Sequence, residues 1–197
     1  QNLLTALRRR YVYVEDAAAL AALDPDTVRA LLGLFAPQHM PPAPERAPRL
    51  AEMTAAALAV LDRDPEGFFL MVEGSQPDWR GHDNAPLAAV TAEMLDFDAA
   101  IRVALDYRAR RPETLIVVTA DHETGGLALQ DSAGALVARY TTRNHTAALV
   151  PLFAAGPGAE RFGGLLPNTR VGQLLNELVA RGRLAAAPGA ARARPAR

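Results

Sequence analysis

Two apolar runs, each preceded by a long helix pattern, constrain the fold of this chain more than any other feature. Apolar residues recur at helical spacing over Leu50–Leu61 and again over residues 86–110. Each pattern leads into a largely apolar run, at residues 68–72 and at residues 115–119, that is typical of a strand covered on both faces. This succession predicts an α/β fold with a central, mostly parallel sheet flanked by helices.

Shorter patterns predict the rest of the domain. Residues 36–48 contain five prolines and predict a surface loop. Residues 184–197 have no apolar face to bury, so we expect a disordered tail after a domain spanning residues 1–183. Further strands are expected at residues 11–14 and 149–154, and further helices at residues 26–34 and 171–180.

Charge and composition exclude several classes of protein. The chain has 21 basic residues, all of them Arg, and 22 acidic residues, which are interspersed. No cationic face is therefore expected, and nucleic acid is not an expected partner. No apolar run approaches the roughly 18 residues that a membrane span needs, so we expect no transmembrane segment. Because the chain has no cysteine, any metal must be held by His and carboxylate groups.

Acidic residues and three of the four histidines lie beside the ends of predicted strands. Ligands of open α/β sheets bind beyond the carboxyl ends of the strands, which makes these residues candidate metal ligands. An Asp and a His four residues apart can reach one ion from a single helical turn. The candidates are Glu73, Asp78, His82, Asp121, His122 and His145.

Oxygen and nitrogen ligands of this kind fit two or three divalent ions. Zinc is favoured where His is present, and magnesium where only carboxylates are available. Two close ions can stabilise the attacking and leaving oxygens of a phosphoryl displacement, so the residues favour hydrolysis of phosphate esters. The fourth histidine, His39, lies in the proline-rich loop and is expected to be solvated.

Two strings resemble the metal-binding strings of bacterial alkaline phosphatases: FLMVEGSQPDWRGH at residues 69–82 and VTADHETGG at residues 118–126. With shorter matches elsewhere, the similarity covers nearly the whole chain apart from the tail. The resemblance implies an alkaline-phosphatase-like fold and hydrolysis of phosphate monoesters through a phosphoserine intermediate. It also implies two zinc ions, one magnesium ion, a homodimer, and a periplasmic or secreted location.

The resemblance also implies a role for each candidate residue. One zinc is implied at Asp78, His82 and His145, the second at Asp121 and His122, and magnesium at Glu73. Trp79 is implied to lie near the phosphate and to shape the substrate site.

Some features of the family pattern are changed or missing. Pro77 stands where family members usually have an aliphatic residue, and Asn144 stands where they often have Gly. The chain matches only the C-terminal half of the longer family members. The serine nucleophile is therefore expected upstream of Gln1, and this chain alone is expected to be almost inactive. The triplet Asp131-Ser132-Ala133 has the same sequence as the triplet that contains the family's nucleophile. It is followed by Gly134, however, and is expected in a turn.

Two alternatives remain open. The chain could belong to another phosphoesterase or a phosphomutase of the same superfamily, since an Asp-His pair after a strand is shared among them. It could also be a metal-binding module that does not catalyse a reaction.

Overall fold

A computed structural model describes residues 3–180. The domain boundary after residue 183 and the expected tail lie outside the described residues. The helices are α1 (Leu4–Leu7), α2 (Ala17–Ala21), α3 (Leu50–Leu61), α4 (Gln76–His82), α5 (Leu87–Arg110) and α6 (Asn168–Ala180). The strands are β1 (Val12–Val14), β2 (Leu31–Gly33), β3 (Ile116–Thr119), β4 (Glu123–Thr124), β5 (Ala128–Ser132), β6 (Ala135–Arg139), β7 (His145–Thr146) and β8 (Leu152–Ala155). None of the helices within this range is long and apolar enough to span a membrane.

Helices α3 and α5 confirm the two longest helix patterns and pack against each other. At the start of α3 the backbone N–H of Arg49 donates to the Glu52 carboxylate, which satisfies one of the free donors of the first turn. At the other end, the Tyr107 hydroxyl of α5 donates to Asp62 at 2.6 Å. Burial and this carboxylate raise the pKa of Tyr107, so the hydroxyl stays a donor at neutral pH.

A buried ionic cluster fixes the proline-rich loop to α5. Arg46 donates to Glu93 at 2.7 Å and to Asp96 at 2.6 Å, and all three side chains are less than a tenth exposed. The same arginine donates to the carbonyl of Pro41 at 3.2 Å, and Glu93 accepts from the N–H of Ala43 at 3.0 Å. The loop is therefore attached to the helix by polar contacts as well as by packing.

The sheet prediction is not confirmed. Residues 3–180 contain four two-stranded sheets, of which only β1–β2 is parallel. Strand β3 was expected to be buried in a parallel sheet, but it is half-buried and pairs antiparallel with β8. A central parallel sheet is not formed within the described residues.

Residues 68–72 were predicted to form a buried strand, and this prediction is wrong for the described chain. The segment is not assigned to a strand, and Phe69 and Met71 are 57% and 76% exposed. Phe68 instead packs on Tyr107 of α5, with its ring centroid 6.0 Å away. No strand within residues 3–180 pairs with this segment, so its backbone does not form inter-strand hydrogen bonds there.

The expected helix at residues 26–34 is also wrong. Pro25–Thr27 forms a 3₁₀ turn, begun by the Asp24 carboxylate accepting from the N–H of Asp26 at 3.0 Å. The following apolar residues form β2 and pair with β1. The strands expected at residues 11–14 and 149–154 are present as β1 and β8, and the helix expected at residues 171–180 is present as α6. Strand β8 lies slightly C-terminal to its predicted position.

Candidate metal centre

Helix α4 places Asp78 and His82 on one face, one turn apart, as their spacing predicts. Nε2 of His82 lies 3.4 Å from Oδ1 of Asp78. The helix approaches β4 closely at Gly81, where an added Cβ would lie 2.7 Å from the carbonyl oxygen of Thr124. Only glycine fits there, so Gly81 sets the distance between the helix and the strand.

The ring of His82 has a defined tautomer. Its Nδ1 lies 2.6 Å from the carbonyl oxygen of Arg143, which can only accept, so Nδ1 carries a proton and donates. In the neutral ring Nε2 then has a free lone pair. This lone pair faces Nε2 of His145 at 3.1 Å, and Oδ1 of Asp78 lies 3.6 Å from the same His145 nitrogen.

Three electron-rich atoms therefore converge: Oδ1 of Asp78, Nε2 of His82 and Nε2 of His145. Two imidazole nitrogens 3.1 Å apart repel each other unless a proton or a cation lies between them. One carboxylate oxygen with two imidazole nitrogens is a donor set that zinc prefers, and the residues present fit such an ion.

Short strand pairing brings a second group against this one. In the β4–β7 ladder Thr124 pairs with His145. The ring of His122 stacks on that of His145 with 3.5 Å between centroids and an angle of 20°. Asp78, His122 and His145 each offer an atom within 4.8 Å of the other two. Nε2 of His122 also lies 3.2 Å from Oδ2 of Asp121, so the two predicted ligand groups are contiguous.

Thr124 joins the two groups and was not predicted from the sequence. Its hydroxyl donates to Oδ1 of Asp78 at 2.5 Å. Since that proton is used, the hydroxyl oxygen is left to accept from Nδ1 of His122 at 3.2 Å. No sequence pattern marks a threonine two residues after a histidine as a contact of both groups.

Glu123 holds the turn that follows β4. Its carboxylate accepts from the N–H groups of Gly126 and Leu127, at 3.1 and 3.0 Å, and from the hydroxyl of Thr146. Burial acts to raise the pKa of Glu123, but these hydrogen bonds outweigh it and hold the pKa below its usual range. The carboxylate thus stays ionised and connects β4 to β7 beside the histidines.

Two predicted site residues lie outside the cluster of hydrogen-bonded side chains. The carboxylate of Glu73 is exposed and makes no hydrogen bond or ion pair within residues 3–180. Trp79 is half-buried and its ring meets that of His39 edge-on, with centroids 4.6 Å apart at 83°. His39 is exposed, as expected, but it is in contact with an aromatic ring rather than with solvent alone.

The Asp131-Ser132-Ala133 triplet lies at the tip of the exposed β5–β6 hairpin. Ala133 and Gly134 both have positive φ, at 53° and 82°, and form the turn. The expected turn is confirmed, and the triplet does not begin a helix.

A family model for alkaline phosphatase matches residues 1–139. This chain belongs to the alkaline phosphatase family. Alkaline phosphatase 3 of Bacillus subtilis is 41% identical over 133 residues, which cover 66% of this chain and 28% of that protein. The family resemblance read from the two strings is thereby confirmed.

Solved alkaline phosphatases have the same fold. The enzyme from the Antarctic bacterium TAB5 superimposes with a TM-score of 0.82 and 30% identity, over 93% of this chain and 56% of that one. A mutant of the TAB5 enzyme with Mg bound in the M3 site gives a TM-score of 0.76 and 31% identity, over 91% of this chain and 56% of that one. The alkaline-phosphatase-like α/β fold is thus supported, and the chain spans about half the length of these structures.

Proposed function

We propose that this chain supplies the metal-binding part of a zinc- and magnesium-dependent alkaline phosphatase that hydrolyses phosphate monoesters. The observation that carries the proposal is the convergence of Oδ1 of Asp78 with the Nε2 atoms of His82 and His145. Family membership supplies the reaction class, and the donor set supports a metal-dependent form of it.

The proposed ligand groups follow the two contiguous clusters. One zinc would be held by Asp78, His82 and His145, and a second by Asp121 and His122. Magnesium would be held in part by Glu73, whose carboxylate has no hydrogen-bond partner within residues 3–180. A mutant of the related TAB5 enzyme has Mg bound in its M3 site. Bound divalent ions supply positive charge that stabilises the charge developing on the phosphoryl group.

The chain's own residues prepare this site before any ion binds. The carbonyl of Arg143 fixes the tautomer of His82, and the Thr124 hydroxyl fixes that of His122. Stacking of His122 on His145 holds both rings in place. The three histidine rings are therefore oriented by partners, which is how proteins raise the affinity and selectivity of a metal site.

The remaining parts of the mechanism are proposed to lie in the rest of a longer protein. A serine there would form the phosphoserine intermediate, because Ser132 lies in the exposed hairpin, away from a helix start. Strands from the same part would complete a central sheet beside residues 68–72. A homodimer and a periplasmic or secreted location are proposed on the basis of family membership.

Zinc binding by the 197-residue chain tests the metal proposal. Competition with a chromophoric chelator should show tight binding by the wild type and at least tenfold weaker binding by H82A and H145A. E66Q, which removes an exposed carboxylate outside the site, is the matched control and should bind as the wild type does. Equal binding by H145A and E66Q would contradict the ligand assignment.

A chimera tests the reaction. In it, this chain replaces the matching part of the TAB5 enzyme, and hydrolysis of 4-nitrophenyl phosphate is compared with that of bis(4-nitrophenyl) phosphate. Preference for the monoester, lost in the H145A chimera, is the expected result. Preference for the diester would favour a phosphodiesterase, and a folded, zinc-binding chimera that hydrolyses neither ester would favour a metal-binding module.

A further inference from the structure

The proline-rich loop is held firmly beside α4. The Gln76 amide donates to the carbonyl of Met40 at 2.6 Å, and Gln76 is only 4% exposed. Further along the loop, Arg46 donates to the carbonyl of Pro41 and the N–H of Ala43 donates to Glu93. These contacts hold the backbone immediately C-terminal to His39. The loop that carries His39 is therefore restrained by the fold.

The rings of His39 and Trp79 meet edge to face. The centroids lie 4.6 Å apart and the planes are nearly perpendicular, at 83°. Edge-to-face contacts of this kind are favourable because the positive edge of one ring meets the negative face of the other. The ring nitrogens of His39 make no hydrogen bond within residues 3–180, so no polar partner explains why the ring lies there.

Trp79 adjoins the candidate metal centre. It follows Asp78 directly in α4 and therefore lies about 100° around the helix from that ligand. Its ring is half-buried, and its one aromatic partner within the described residues is His39. Its place next to a proposed ligand in the helix is what would bring this ring to the organic group of an ester bound at the metal centre.

We propose that His39 is a positioning residue that holds the Trp79 ring as an aromatic wall for the substrate's organic group, and so favours aryl over alkyl phosphate monoesters. This inference rests on the proposed phosphatase function. An aromatic contact of this kind changes affinity about two- to tenfold. The contact requires an aromatic ring at position 39 but no ring nitrogen, so phenylalanine should replace histidine and alanine should not.

Binding of two phosphonates to the zinc-loaded chain tests the inference. Phenylphosphonate and methylphosphonate differ only in the organic group, and calorimetry gives the affinity of each for the wild type, H39A, H39F and Q38A. Gln38 is the exposed neighbour of His39 and provides the matched control. Trp79 is the only tryptophan of the chain, so its fluorescence anisotropy reports the motion of that ring in each variant.

The expected result is a two- to tenfold preference of the wild type, H39F and Q38A for phenylphosphonate, together with loss of that preference and a more mobile Trp79 in H39A. Equal preference in H39A and the wild type, or failure of H39F to restore it, would overturn the inference and leave the proposed function intact. If the zinc-loaded wild type binds neither phosphonate, this inference is overturned, and the proposed function is decided separately by the zinc-binding and chimera experiments.

Discussion

At the scale of single residues, the Thr124 hydroxyl is shared by the two ligand groups. It donates to Asp78 and accepts from His122, so one side chain orients a ligand of each group. We expect T124V to weaken zinc binding by the chain about 10- to 100-fold, because both ligands lose the partner that orients them. Competition with a chromophoric chelator measures the effect.

The matched control is T124S, which keeps the hydroxyl and removes only a methyl group. It should bind zinc within a few fold of the wild type. If T124V binds as tightly as T124S, the hydroxyl does not orient the ligands, and the shared role assigned to it is wrong.

At this scale, proximity of side chains could be predicted where the residue types are rare and regularly placed. Asp78 and His82 could be paired from their spacing, because four residues make one helical turn. The partners that orient them could not be found in this way. The Arg143 contact to His82 is made by a backbone carbonyl, which every residue has, and the Thr124 contact to Asp78 depends on how β4 packs against α4.

At the scale of elements, the attachment of the proline-rich loop to α5 depends on one buried arginine. Arg46 balances two carboxylates, Glu93 and Asp96, that are almost completely buried. We expect R46A to destabilise the chain by about 3–5 kcal/mol, because it leaves two buried charges without a partner. Urea denaturation followed by circular dichroism gives the free energy of unfolding.

An exposed ion pair provides the comparison for R46A. Arg8 and Glu15 lie 3.7 Å apart, and their side chains are 52% and 65% exposed. E15Q should therefore change the free energy of unfolding by no more than about 1 kcal/mol. A similar small loss in R46A would show that the buried cluster does not hold the loop.

The stability that Glu177 of α6 contributes should depend on pH. Hydrogen bonds from Arg161 and from Arg170 to Glu177 hold the pKa of Glu177 below its usual range. A carboxylate whose pKa is lower in the folded state adds stability above its unfolded pKa, and this stability is lost as the pH falls through the folded value. We expect the Tm difference between the wild type and E177Q to shrink on acidification from about pH 6 to about pH 3.

E66Q again removes an exposed carboxylate, this time to measure the effect of surface charge on Tm. The difference between the E177Q and E66Q melting curves isolates the arginine contacts. A wild-type advantage over E177Q that stays constant down to about pH 3 would be inconsistent with a lowered pKa.

The long helices could be predicted because their patterns are strong and their ends are marked by prolines and aspartates. The error at residues 26–34 has a specific cause. The Asp24-Pro25-Asp26 sequence favours a tight turn, and parallel pairing with β1 then outweighs the modest helix propensity of the leucines that follow.

At the scale of the whole molecule, the sheet could not be predicted from local patterns. An apolar run shows that a segment is suited to a strand, but it does not show which strand lies beside it. Residues 68–72 have the composition of a buried strand and no partner within residues 3–180, whereas β3 finds one in β8. Pairing is a long-range property, and this chain corresponds to about half of the solved relatives' length.

The unpaired segment leads to a prediction about solubility. Phe68 packs on α5, while Phe69 and Met71 are exposed to solvent. An exposed apolar segment without a paired neighbour is prone to self-association. We expect the wild-type chain to self-associate at micromolar concentration in sedimentation velocity experiments, and the F69S/M71S double variant to sediment as a monomer.

The thermal stability of the double variant distinguishes surface association from a folding defect. Because both side chains are already exposed, their replacement should change the free energy of unfolding by no more than about 0.5 kcal/mol each. Leu165 is 76% exposed in another part of the chain, so L165S should leave self-association unchanged if residues 68–72 are responsible. Equal relief of self-association by L165S would show that exposed apolar area in general, and not the unpaired segment, makes the chain associate.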